Sequence, residues 1–152
     1  MNPLFKISTS PLEALDLRGP LADEKAGGYV SFEGWVRDCN EGHEVISLEY
    51  EVYAELAEKE GSRILSEVAG KFGVRGARCF HRVGHLNLGE MAVWVGVTAV
   101  HRDNAFLACR YIIDEVKKRV PIWKKEHYQS GDSGWVGSSP ASTSIPDSHP
   151  SQ

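Results

Sequence analysis

Cysteine is scarce in this 152-residue chain: Cys39, Cys79 and Cys109 stand far apart and are odd in number. They form neither a disulfide framework nor a Cys-x-x-Cys metal knuckle, and they suit a reducing compartment. Long apolar runs are missing as well, with nothing near the roughly 18–20 uninterrupted apolar residues of a membrane span. The opening MNPLFKISTSPLEAL lacks a basic stretch followed by an apolar one, so no secretory signal is expected. There is no GxxxxGK[ST] phosphate loop, no GxGxxG after a strand, no HExxH and no GxSxG. The six histidines do not pair at metal-ligand spacing, so neither a metal nor another cofactor is expected. Basic excess is absent too. A net charge of −4 disfavours a nucleic-acid coat protein. A soluble, cytoplasmic protein without membrane or nucleic-acid partners is the expectation.

What is present is ordinary in proportion, 41% hydrophobic and 25% charged, and the length suits one compact domain with or without a tail. Residues 137–152, GSSPASTSIPDSHPSQ, hold six serines and three prolines but no lysine or arginine. Such a segment cannot bury enough surface to offset its ordering entropy, so residues 1–136 are read as a single domain and 137–152 as a disordered tail.

Within the domain, Phe5–Ile7 is a first short strand, and Ser10-Pro11-Leu12-Glu13 carries helix-start chemistry. Tyr29–Arg37 alternates as a strand, 38–44 reads as a loop, and Val45–Tyr50 resumes strand character. From about Glu51 the period turns helical, with Val52, Leu56, Ile64, Leu65, Val68 and Phe72 on one stripe, weakened by Gly61 and closed by Gly70 and Gly73. Ala77–Val83 is a strand and 84–90 a turn. Met91–Val100 is apolar on both faces and therefore central. A second helix follows, capped by Asp103 or Asn104, with Ala105, Phe106, Cys109, Ile112, Ile113, Val116 and Val120 as its stripe. Pro121 ends it, leaving a basic loop. The pattern is α+β, a mixed sheet with two main helices and no nucleotide-binding βαβ rhythm.

Charge is uneven. Residues 1–100 carry a net −5, whereas 101–128 carry a net +3, which points to a local anion site on an acidic protein. Inside that segment Lys117 and Lys124 flank VPIW. Lysines among other cations can have lowered pKa values and act as bases or nucleophiles; equally, they can form a solvated face favouring a helix C-terminus. His101-Arg102 sits where a strand passes to a helix, a place for an anion or for a local ion pair. Arg37 closes the first long strand as an anion ligand or a surface charge. In His81-Arg82, alternation buries one of the two, which suits a structural role. Trp35, Trp94, Trp123 and Trp135 could stack a flat ring, although packing is the commoner use.

In order along the chain, FEGWVRDCNEG, LEYEVYAELAEKE, HRVGHLNLGE, VTAVHRDNAFLAC, DEVKKRVPIWKKE and GDSGWV resemble the catalytic (large) subunit of the molybdopterin synthase family, from about Gly27 to Val136. The resemblance implies an α/β-hammerhead-like fold and a sulfurtransferase of molybdenum-cofactor biosynthesis. Its substrate would be cyclic pyranopterin monophosphate, converted to the dithiolene of molybdopterin. Its partner would be a small ubiquitin-like subunit ending in a Gly-Gly thiocarboxylate, with two large subunits forming a homodimer at the centre of a heterotetramer. It further implies Lys117 and Lys124 as catalytic residues, and Arg37, His101, Arg102 and Glu126 as substrate-binding ones. Asp38 departs from the asparagine common after that arginine, and the tail lies outside the pattern. A non-catalytic module binding a small phosphorylated ligand is the alternative.

Overall fold

The computed structural model describes residues 2–137; the tail expected at 137–152 lies outside the described residues except for Gly137. The elements run β1 (Leu4–Ser8), β2 (Gly28–Trp35), β3 (Cys39–Asn40), β4 (His43–Val52), α1 (Ala54–Phe72), β5 (Gly76–Arg82), β6 (Gly84–Asn87), β7 (Met91–Ala99), α2 (Arg102–Arg119), β8 (Ile122–Tyr128) and β9 (Ser133–Gly137). Two short 3-10 turns, Leu12–Ala14 and Gly19–Leu21, lie between β1 and β2.

One sheet has the order β1-β5-β7-β2, with β1 parallel to β5 and the other neighbours antiparallel. Every residue of β7 is buried. The reason is cover on both faces. Ile64, Leu65 and Val68 of α1 and Ile112 and Val116 of α2 pack over Cys79, Val95 and Val97. On the opposite face Leu12, Leu17 and Leu21 pack with Phe80 and Trp94. A strand sandwiched this way loses the polar alternation of a one-sided sheet. Gly61, which costs α1 helix propensity, lies against the Phe5 ring, where a Cβ would collide.

The second sheet is antiparallel, ordered β3-β4-β8-β9, with β6 also paired to β4. The end of α2 is clasped to the body of α1. Arg119 donates from Nε to Glu60 at 2.8 Å, from both terminal nitrogens to Glu67 at 2.8 Å, and from Nη1 to Glu115 at 3.2 Å. The last turn of α2 is thereby held to α1.

The expected α+β class, mixed sheet and two main helices are what the chain forms, but several boundaries differ. The helix expected from Glu51 begins at Ala54, because β4 is paired as far as Val52 against β8. The loop read at 38–44 is a tight hairpin whose turn residues Glu41 and Gly42 both have positive φ. The turn at 84–90 includes strand β6. The basic loop after Pro121 is strand β8, whose inner face carries Ile122, Lys124, Glu126 and Tyr128; two charged residues on that face hid the alternation. The N-cap of α2 is His101, without a side-chain hydrogen bond, in place of Asp103 or Asn104. Leu56 and Phe106, expected on buried stripes, are exposed. Glu13 serves tertiary structure, accepting from the Met91 N–H at 2.7 Å.

Candidate active site

A cavity of about 510 Å³ lies where the two sheets meet the end of α2. Its charged and amide- or imidazole-bearing lining comes from five places in the chain, with the Tyr50 phenol of β4 beside them. Arg37 follows β2, Asn40 lies in the β3 hairpin, His81 on β5, Lys117 in the last turn of α2, and Lys124 and Glu126 on β8. Lys124 and Glu126 are two residues apart on a strand, so their side chains share a face. Pro121 makes this possible: it stops α2 and lets the chain return as a strand under Lys117.

Glu126 is buried to 2% exposure, and its carboxylate is saturated by protein groups. Asn40 Nδ2 donates to both oxygens at 3.1 Å, the Tyr128 hydroxyl donates at 2.9 Å, and Lys124 Nζ lies 3.5 Å away. A buried carboxylate persists only with such partners. The acid expected at the substrate lines the cavity with its carboxylate beside Lys124, an arrangement suited to positioning that lysine. Burial lowers the Lys124 pKa below its ordinary value; Glu126 opposes this, while Lys117 and Arg37 add to it. Burial and the nearby Glu126 push the Tyr50 phenol up to about 12. His81 is held down to about 4, by burial first and also by Lys117, against the raising effect of its bond to the Arg82 carbonyl.

Arg37, Lys117, Lys124 and Glu126 are therefore brought together. His101 and Arg102 are not. Both are exposed at the opposite end of α2, with Arg102 fifteen residues from Lys117 and so about 22 Å away along the helix axis. Arg102 instead lies beside Gly28, at the start of β2. Sequence reasoning missed Asn40, on a two-residue strand too short to show a period, and Tyr50, and it left His81 as structural. Of the tryptophans, Trp94 is in the core and Trp35 stands exposed on the cavity rim. Cys39 is exposed and lines the cavity, whereas Cys79 and Cys109 are buried. Among the described residues, no three His, Cys, Asp or Glu side chains are grouped to hold a metal ion.

A cavity with three cations and one internally neutralised carboxylate, built on an α+β frame, defines a class: proteins that hold small anions for acid–base or transfer chemistry. The chain belongs to the MoaE protein family, whose model matches residues 7–119. It is 38% identical over 135 residues, 89% of its length and 98% of the relative's, to a molybdopterin synthase catalytic subunit of Thermoplasma volcanium. The crystal structure of molybdopterin synthase from Staphylococcus aureus superposes with a TM-score of 0.82 at 35% identity, covering 88% of this chain and 96% of that one. A complex of subunits 1 and 2 of the molybdopterin-converting factor from Helicobacter pylori shares the fold, with a TM-score of 0.66 at 21% identity, covering 93% of each chain.

Proposed function

We propose that residues 1–136 act as one catalytic domain, the large subunit of a molybdopterin synthase. It takes sulfur from the C-terminal thiocarboxylate of a small ubiquitin-like subunit and places it on cyclic pyranopterin monophosphate. Each transfer forms a carbon–sulfur bond on the substrate at the expense of a carbon–oxygen bond. Water then cleaves the acyl–sulfur bond, and the carrier leaves as a carboxylate. Two rounds give the dithiolene.

The observation that carries this reading is the convergence of Arg37, Lys117 and Lys124 on one cavity with Glu126 as the only acid lining it among the described residues. Three positive side chains against one negative leave a local charge of +2, matching one thiocarboxylate and one cyclic phosphodiester. Lys117, at the exposed end of α2, is placed to meet an arriving C-terminus and to move a proton as sulfur is delivered. Lys124, less solvated and paired to Glu126, supports it. Arg37 suits phosphate recognition through its planar fork.

His101 and Arg102 enter through a second copy of the chain. β2 is an edge strand, with the Arg102 end of α2 at its Gly28 terminus and the cavity at its Trp35 terminus. Two copies pairing antiparallel along β2 would set the Arg102 of one against the cavity of the other, an isologous arrangement. Exposed Phe32, Val100, Phe106 and Leu107 around this edge supply apolar surface for it. A homodimer flanked by two small subunits follows.

The test is turnover of the pterin precursor by the complex with thiocarboxylated partner. Lys117→Ala is expected to reduce the rate at least a hundredfold with the complex still assembled. Wild-type turnover in that variant would overturn the role given to Lys117, and a wild-type complex that binds the phosphate but converts nothing would favour a phosphate-binding module instead.

A further inference from the structure

Two neutral residues of the cavity lining, Asn40 and His81, carry acceptor atoms, and one of these atoms is buried without a partner. Asn40 is buried, and Glu126 fixes its amide orientation, because turning it over would set Oδ1 against a carboxylate. Its Oδ1 is then a buried acceptor with no hydrogen-bond partner. Native structures rarely leave such a group unmatched unless a ligand or water completes it.

His81 presents a second acceptor. Its Nδ1 lies 2.8 Å from the Arg82 carbonyl oxygen, which can only accept, so Nδ1 carries the hydrogen. In a neutral ring Nε2 then bears a lone pair, and His81 lines the cavity. Burial and the nearby Lys117 keep the ring neutral through the physiological range. The ring packs edge-on against Tyr50 at 4.8 Å, and Tyr50 is the cross-strand neighbour of Lys124. Asn40 is bonded to Glu126, two residues further along β8. The two acceptors thus flank the Lys124–Glu126 pair, whose Cα atoms are about 7 Å apart, close to the length of a fused bicycle.

We infer that Asn40 Oδ1 and His81 Nε2 form the subsite for the N–H edge of a reduced pterin-type heterocycle. The three cations of the cavity are donors only and suit any phosphate; an acceptor pair adds selection for a ring bearing N–H and amino groups. This assignment rests on the proposed function and adds to it the residues that choose the heterocycle.

The experiment measures binding of the pterin phosphate precursor to the assembled complex by calorimetry, with inorganic phosphate as the second probe. His81→Phe keeps a ring against Tyr50 and removes the acceptor. It is expected to weaken pterin binding about tenfold and to leave phosphate binding within twofold, with His81→Gln, whose amide oxygen accepts, recovering most of the loss. Asn40→Ala is expected to act in the same direction. Pterin affinity within twofold of wild type in both His81→Phe and Asn40→Ala would overturn the assignment. So would equal losses for pterin and phosphate, which mark a general collapse of the cavity. A wild-type complex that binds no pterin would instead bring down the underlying function as well.

Discussion

Replacing Glu126 by glutamine removes one charge and almost no volume from the centre of the cavity. At 3.5 Å, in a medium of effective dielectric about 20, a unit charge pair is worth roughly 5 kcal/mol. The Lys124 side chain is 21% exposed and can draw on solvent, so about 2 kcal/mol is the expected loss. A Tm lower by about 6 °C follows for a domain of this size. The pH dependence has a definite sign. Burial already lowers the Lys124 pKa, and Glu126 is the group that holds it up. Without the carboxylate that pKa falls further, so the charged form is lost at lower pH and the alkaline limb of turnover moves to lower pH. Adding Lys124→Met to Glu126→Gln should restore part of the stability, since no buried charge is then unpaired, while activity stays lost. Thermal melts and pH–rate profiles of the assembled complex check both effects. An unchanged Tm together with an unmoved alkaline limb would refute the positioning role given to Glu126.

Thiol labelling of the native protein with iodoacetamide should modify Cys39 alone. Burial pushes the Cys109 thiol up to about 11 and raises Cys79 further, leaving both unreactive, and peptide mapping reads the result. Pterin precursor bound in the cavity should slow that labelling, because Cys39 lines it. Gly61→Ala gains about 1 kcal/mol of helix propensity but forces a methyl group into the Phe5 ring, at a cost of about 1–3 kcal/mol; net destabilisation in urea melts is expected.

The parts of the molecule that could be read from residues alone are those where one physical pattern acts without competition. In β7 two-sided burial selects an unbroken apolar run, and in α1 and α2 the 3.6-residue stripe meets the sheet. The misread parts are where function and packing share a strand. In β8, Lys124 and Glu126 occupy inward positions that a folding pattern alone would fill with apolar residues, so the segment looked like a charged loop. Phe106 broke the stripe of α2 by facing outward beside the β2 edge. The cationic members of the cavity were legible from charge clustering and from family resemblance. Asn40 and His81 were not, because a neutral acceptor leaves no mark on charge or periodicity.

The placement of Arg102 and the cavity at opposite ends of β2 has a consequence for how this protein can be damaged. In the proposed pairing each chain serves two reaction centres, giving its cations to one and its arginine to the other. A lesion at either end therefore spoils a different centre. Two chains broken at opposite ends would still make one whole centre between them. Separation of the copies would silence both centres at once, with every fold-determining contact described above left in place.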